Sequence, residues 1–238
     1  MWKQRYYVND TFFKGTGPIF LCIGGEGPAL QPTVVVTGDN HCADMMEASS
    51  QFEALVFAVE HRYYGGSIPT GDFTTANLTW LSSAQALADL AEFINYQNAQ
   101  LKLQAPTNKW ITFGGSYPGM LSAWMRGRYP DLVDAAVASS APVKAVANFQ
   151  GYNDVVASSL GDVSVGGSPE CLDAVEQAFT LLGTRLTEAQ GRRSLETIFF
   201  VCDVATSPLD SIANQQKFME TVSECFPIQT NYPNCSEY

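Results

Sequence analysis

The 238-residue sequence is short of basic residues, of histidine and of long apolar runs, and each shortage narrows what the chain can do. Thirteen Lys and Arg stand against 24 Asp and Glu, a net charge of -11 that repels nucleic acid and anionic membrane surfaces. No nucleic-acid partner is expected. No apolar stretch approaches the ~18 residues of a membrane span, and Met1-Trp2-Lys3-Gln4 lacks the apolar core of a signal peptide. The sequence therefore predicts a soluble chain with no membrane partner. No Cys-x-x-Cys pair occurs among the six cysteines, four of which (Cys171, Cys202, Cys225, Cys235) lie widely spaced in the last third. That distribution suits a disulfide framework better than zinc. Sequons at Asn9, Asn77 and Asn234 point the same way, toward a secretory route whose signal peptide lies outside this sequence.

What the chain has in quantity is core material, 46% hydrophobic and 12% aromatic residues, enough for one large domain or two small ones. Through the first 150 residues, short apolar runs alternate with helical patterns. Pro18–Ile23, Leu55–Val59, Lys109–Phe113 and Ala135–Ala138 read as buried strands. Ser83–Leu103 reads as a helix with Leu87, Leu90, Ala91 and Ile94 on one stripe and Ser82 or Ser83 as its cap. Strand alternating with helix predicts an α/β fold with a parallel sheet. Beyond about Phe149 strands thin out, Gly161–Pro169 reads as a loop, and helices over Glu170–Leu182 and Leu209–Val222 take over. A boundary is placed between residues 148 and 149.

The stretch "FGGSYPGML", Phe113 to Leu121, puts Ser116 on a strand-to-helix turn between glycines. A serine hydroxyl at its ordinary pKa needs an exposed position, a base and donors for an oxyanion. Gly114 and Gly115 before Ser116 suit the sharp elbow of an α/β-hydrolase nucleophile, while Pro118 occupies the position where G-x-S-x-G asks for glycine. Proline is tolerable there, since the first helical turn leaves its amides unpaired. The amide of Tyr117 is the first oxyanion candidate. The loop "IGGEG", Ile23 to Gly27, follows an earlier strand and offers the second through Gly25 or Glu26. The base is harder to find: the only histidines, His41 and His61, both precede Ser116, whereas the hydrolase order places acid and histidine after the serine.

At this point several ordered motifs match a known family. "QRYYVND", "GPIFLCIGGEGP", "VEHRYYGGSIPTGD", "LSSAQALADLAEFI", "FGGSYPGMLSAWMRGRYPDL" and "ASSAPVKAV" resemble the lysosomal prolylcarboxypeptidase and dipeptidyl peptidase II family of serine peptidases. "FQGYNDVV" and "VGGSPEC" look most like its thymus-specific branch. The resemblance runs in order from residue 4 to about 180. It implies an α/β-hydrolase core, partial over residues 1–148, interrupted by a helical, disulfide-bonded cap domain that begins at 149 and is incomplete at 238. It also implies an exopeptidase cutting peptides beside proline or small residues, in lysosomes or vesicles or after secretion. Ser116 matches the family nucleophile; the family's Asp and His fall beyond residue 238, so the chain alone is expected to be inactive. Pro118 departs from the family's usual Gly or Ala.

Around that centre, Glu60, His61 and Arg62 are expected to form a buried polar cluster with His61 in a structural role, as buried hydrogen-bonded groups usually are. His41, Cys42 and Asp44 offer metal-ligand types, yet without a second pair at coordinating spacing they read as a loop and helix start, so no metal is expected. No cofactor is expected either. Glu26 is a candidate to hold a substrate's free amino group by charge. A homodimer is left open. Two further functions compete: a non-catalytic or vestigial secreted binding protein, and an esterase on the same fold.

Overall fold

The computed structural model describes residues 2–38, 42–103, 107–202 and 204–231, with the side chains of 204 and 224–231 excepted. The chain divides into two units, Met1–Ala145 and Val146–Tyr238. In the first, strands β1 (Tyr6–Asn9), β2 (Ile19–Ile23), β3 (Leu55–Val59), β4 (Trp110–Gly115) and β5 (Ala135–Ser139) form one sheet in the order β1-β3-β2-β4-β5. β1 runs antiparallel to β3; every other pairing is parallel. With helices α1 (Ala43–Gln51), α2 (Ser83–Leu101) and α3 (Ser116–Arg128) between the strands, this is an α/β-hydrolase sheet.

Alternation along the strands divides the core between two faces. Ile19, Leu21, Ile23, Phe57 and Val59 meet Leu87, Leu90 and Ile94 of α2 and Leu121 and Met125 of α3. Phe20, Cys22, Val56, Ala58 and Phe113 meet Met45 of α1 and, from the turn before it, Val34 and Val35 on the opposite face. β2 and β3 are buried along their whole length, which is why they read as unbroken apolar runs. Burying each such side chain contributes about 1.5–3 kcal/mol. Ser82 caps α2 by accepting a bond from the Gln85 amide at 3.3 Å, and the helix ends at Lys102 in a left-handed conformation. β5 lies at the end of the sheet, its residues exposed or half-exposed.

A disulfide joins Cys22 on β2 to Cys42 just before α1, with the Cα atoms 6.0 Å apart and the two residues 20 positions apart in sequence. A bridge closing a loop of that size contributes about 3 kcal/mol, chiefly by restricting the unfolded chain. Of the four cysteines expected to form a framework in the last third, Cys171 and Cys202 are exposed and unpaired. Cys171 lies in the first turn of a helix and Cys202 beyond the end of another, and neither meets a second cysteine among the described residues. The side chain of Cys225 and all of Cys235 lie outside the described residues, as does the sequon at Asn234.

The second unit is helical: α4 (Gln150–Gly161), α5 (Pro169–Thr187), α6 (Ala189–Ile198) and α7 (Ile212–Asn231). Ser168 caps α5 through the Cys171 amide at 3.1 Å, with Pro169 preset at its first position. The core is small, Leu186, Leu195 and Leu209 with Leu182, Phe218 and Met219 around them. Buried Glu196 secures it, accepting the Leu209 amide at 2.8 Å and pairing with Arg193 at 2.9 Å.

Candidate active site

Strand β4 delivers the chain to Ser116, and helix α3 carries it away from the same residue. Ser116 has φ of 57°, a left-handed conformation that a non-glycine residue adopts only at a cost of about 1–3 kcal/mol. The strain lifts its side chain out of the turn, and Ser116 is exposed although the strand before it is mostly buried. Gly114 makes the elbow passable: a Cβ there would lie 2.3 Å from the Pro118 carbonyl oxygen. Tyr117 and Gly119 sit in the first turn of α3, where amides have no intrahelical partner and the helix dipole favours negative charge.

A cavity of about 480 Å³ opens on Ser116, lined by Gly115 and Pro118 on one side and by Gly25, Glu26, Gly27, Pro28 and Leu30 on the other. The structure thus brings together Ser116 and the loop after β2. Gly25 and Pro118 fit each other, since a Cβ on residue 25 would stand 2.4 Å from Pro118 Cγ. Pro118, odd against the motif, is accommodated because its neighbour across the cavity has no side chain. Gly25→Ala is therefore expected to push the loop off the helix start: acylation of Ser116 should fall at least tenfold, in line with what a misplaced oxyanion donor costs. An unchanged acylation rate in that variant would show that the loop amides take no part.

His61 follows β3 and is 5% exposed. Its Nδ1 lies 2.7 Å from the Arg62 carbonyl oxygen, which can only accept, so Nδ1 carries the proton. Nε2 is then bare and accepts the Tyr117 hydroxyl at 2.9 Å. Both ring nitrogens are taken, so His61 is no base for Ser116 in this arrangement. Burial pushes its pKa below the ordinary 6.5; the carbonyl bond from Arg62 opposes this, the Arg62 charge adds to it, and Asp89 and Glu26 oppose it. Burial also raises the pKa of Tyr117, against a hydrogen bond from Ser83. Both groups stay neutral around pH 7.

A consequence for stability follows from linkage. The folded chain refuses on His61 a proton that the unfolded chain accepts, so stability should fall as pH drops below 6.5 and level off beneath the folded-state value. Comparing urea midpoints of the wild type and His61→Gln through that window isolates the effect. Parallel pH curves would rule it out.

Arg62 is buried and held on both sides of its guanidinium, by Asp89 at 2.7 Å twice and by the Trp80 carbonyl at 2.8 Å. Glu60 is also buried, accepting the Leu30 amide at 3.2 Å, the Gly66 amide at 2.9 Å and the Ser67 hydroxyl at 2.7 Å, with Arg5 at 3.7 Å. The Glu60-His61-Arg62 cluster is thus a set of satisfied polar groups. Among the described residues no group of three His, Cys, Asp or Glu is placed to hold a metal ion, and His41 lies outside the described residues. Leu30, Gly27 and Pro28 line the cavity without having been singled out by sequence. Only their position after the glycine loop could have suggested them.

The family model for serine carboxypeptidase S28 matches residues 1–237. The human thymus-specific serine protease is 44% identical over 223 residues, covering 91% of this chain and 40% of that protein. The bovine lysosomal Pro-X carboxypeptidase is 31% identical over 248 residues, covering 97% and 46%. The chain therefore spans less than half the length of these relatives. Among solved structures, proline iminopeptidase from Mycobacterium smegmatis aligns with a TM-score of 0.43 at 12% identity, over 96% of this chain and 67% of that one.

Proposed function

Because this chain belongs to the serine carboxypeptidase S28 family, we propose that Ser116 is the nucleophile of a serine exopeptidase. The observation that carries this is the left-handed Ser116, exposed at a strand-to-helix elbow that opens on a glycine-lined cavity. In the proposed reaction the Ser116 oxygen attacks a peptide carbonyl and its proton passes to a histidine. The tetrahedral oxyanion is held by the Tyr117 amide and by an amide at Gly25 or Glu26. Collapse expels the leaving amine and forms an acyl-enzyme, which water then cleaves.

No histidine follows Ser116, and His61 has both nitrogens engaged. The base and its aspartate are thus assigned to sequence beyond residue 238 of a family-length protein, and residues 1–238 alone are inactive. The relatives' greater length supports this assignment. Glu26 is exposed on the cavity rim and suited by charge to a substrate's amino group, which favours attack from the amino end; the Pro-X carboxypeptidase relatives favour the other. A vesicular or secretory location is in keeping with the Cys22–Cys42 disulfide and with the lysosomal relatives. Asn9 and Asn77, whose side chains donate at 2.6 Å to the Val35 carbonyl and to Asp72, carry two of the sequons.

The test is to treat the family-length protein carrying this chain with a fluorophosphonate and to map the adduct by mass spectrometry. Phosphonylation of Ser116 supports the nucleophile, whereas an unlabelled protein, or a label elsewhere, favours the non-catalytic binding protein. Proline-containing peptides blocked at one end or the other then distinguish a dipeptidyl peptidase from a carboxypeptidase, and an ester-only activity would point to an esterase.

A further inference from the structure

Two consecutive residues after β3 reach in different directions and grip both sides of the cavity. Glu60 accepts the amide of Leu30, at the end of the loop that lines the side opposite Ser116. His61 accepts the hydroxyl of Tyr117, the residue directly after Ser116. The segment joining them is fixed by its own bonds. Gln4 Nε2 donates to the Glu60 carbonyl at 2.8 Å, the His61 Nδ1–H donates to the Arg62 carbonyl, and the Gly24 amide donates to the Val59 carbonyl at 2.8 Å. Arg62 is anchored in turn to Asp89 on α2.

The bonds on the Tyr117 side have one direction. Tyr117 donates to His61 Nε2, and His61 donates from Nδ1 to the Arg62 carbonyl. A phenol held at its oxygen and packed edge-on against an imidazole, with ring centroids 5.5 Å apart, cannot rotate freely. Restraining the ring restrains the residue that carries the candidate oxyanion amide. An oxyanion hole works only if its two donors keep a fixed separation, because donors that must reorganise during the reaction lose most of their benefit.

We propose that His61 and Glu60 are positioning residues that set the oxyanion hole, His61 by holding Tyr117 through its phenol and Glu60 by holding the Gly24–Leu30 loop. This rests on Ser116 being the nucleophile, and it gives the cluster behind the site a kinetic role besides its contribution to folding.

The test is a double-mutant cycle on the family-length protein, with Tyr117→Phe, His61→Ala and the pair, plus His61→Gln as a variant that keeps an acceptor near Nε2. Acylation of Ser116 by fluorophosphonate and kcat and KM for a peptide are the readouts. Tyr117→Phe and His61→Ala should each lower kcat about ten- to hundredfold with KM within about twofold, as a displaced catalytic group does. The pair should be no worse than the poorer single variant, and His61→Gln should recover much of the loss. Tyr117→Phe removes one oxygen and keeps the ring, so it reports even where His61→Ala fails to fold. Unchanged kcat in Tyr117→Phe, losses that multiply in the pair, or a loss confined to KM would each overturn the proposal. A wild-type protein that never acylates Ser116 would overturn the nucleophile itself and the positioning role with it. Equal acylation in all variants would remove only the positioning role.

Discussion

Replacing Ser116 by alanine in the family-length protein is expected to abolish fluorophosphonate labelling. It should also lower kcat for peptide hydrolysis by about 1,000,000-fold, the order seen when a serine nucleophile is removed. The fold should be untouched, because the side chain is exposed. Alanine keeps the strain of a non-glycine residue at φ of 57°. Glycine relieves it, so Ser116→Gly should be equally inactive yet more stable, by about 1 kcal/mol. Peptide turnover measured beside a denaturant titration separates the two effects. A Ser116→Gly protein less stable than Ser116→Ala would show that the turn stores no strain, and retained turnover in either variant would remove Ser116 from the chemistry.

The largest stability effect is expected at Asp89. Its carboxylate makes two 2.7 Å bonds to the Arg62 guanidinium, with the two side chains only 13% and 5% exposed. Asp89→Ala leaves a buried cation with the Trp80 carbonyl and, more distantly, the ring of Trp2 at 5.8 Å. Breaking one partner of a buried pair costs about 3–5 kcal/mol, because the remaining charge is neither solvated nor neutralised. Replacing both, as in Arg62→Met with Asp89→Leu, should cost much less, since no charge is then stranded. Urea unfolding of the three proteins gives the comparison. If Asp89→Ala lost under about 1 kcal/mol, the size expected of an exposed pair, the guanidinium would have to be reaching water. Because Arg62 follows His61 and supplies the carbonyl that fixes its tautomer, Asp89→Ala should also slow acylation in whatever fraction stays folded.

The strands show where sequence is legible. β2 and β3 are buried on both faces, so their sequences are continuous apolar runs, found within one residue of their ends. α2 is legible from its stripe and its serine cap. β1 is not, because "YYVN" is four residues long, alternates only half-buried with exposed, and gains its place by pairing antiparallel with β3 some fifty residues away. α6 is missed for a similar reason: of its buried positions, Gly191, Leu195 and Glu196, only Leu195 is a large apolar residue, and Glu196 reads as solvent-facing until it is seen to accept the Leu209 amide. In the site, Ser116 and the Gly25 loop are legible as local turns, each spelled by adjacent residues. The Cys22–Cys42 bridge is not, because cysteine spacing names no partner and only the sheet brings these two within reach.

By itself, the sequence determined the period of its strands and helices, its acidic net charge, and a serine set between glycines at the end of a strand, because these depend on composition and on neighbours in the chain. The tertiary structure decided what is fixed by distance across space. It set Gly25 against Pro118, joined Cys22 to Cys42, and took both nitrogens of His61 out of proton transfer by bonding them to Arg62 and Tyr117. A hydrogen bond or close contact between residues 56 or 93 positions apart leaves no trace in local composition, since its energy exists only once the chain has brought the two groups within about 3 Å.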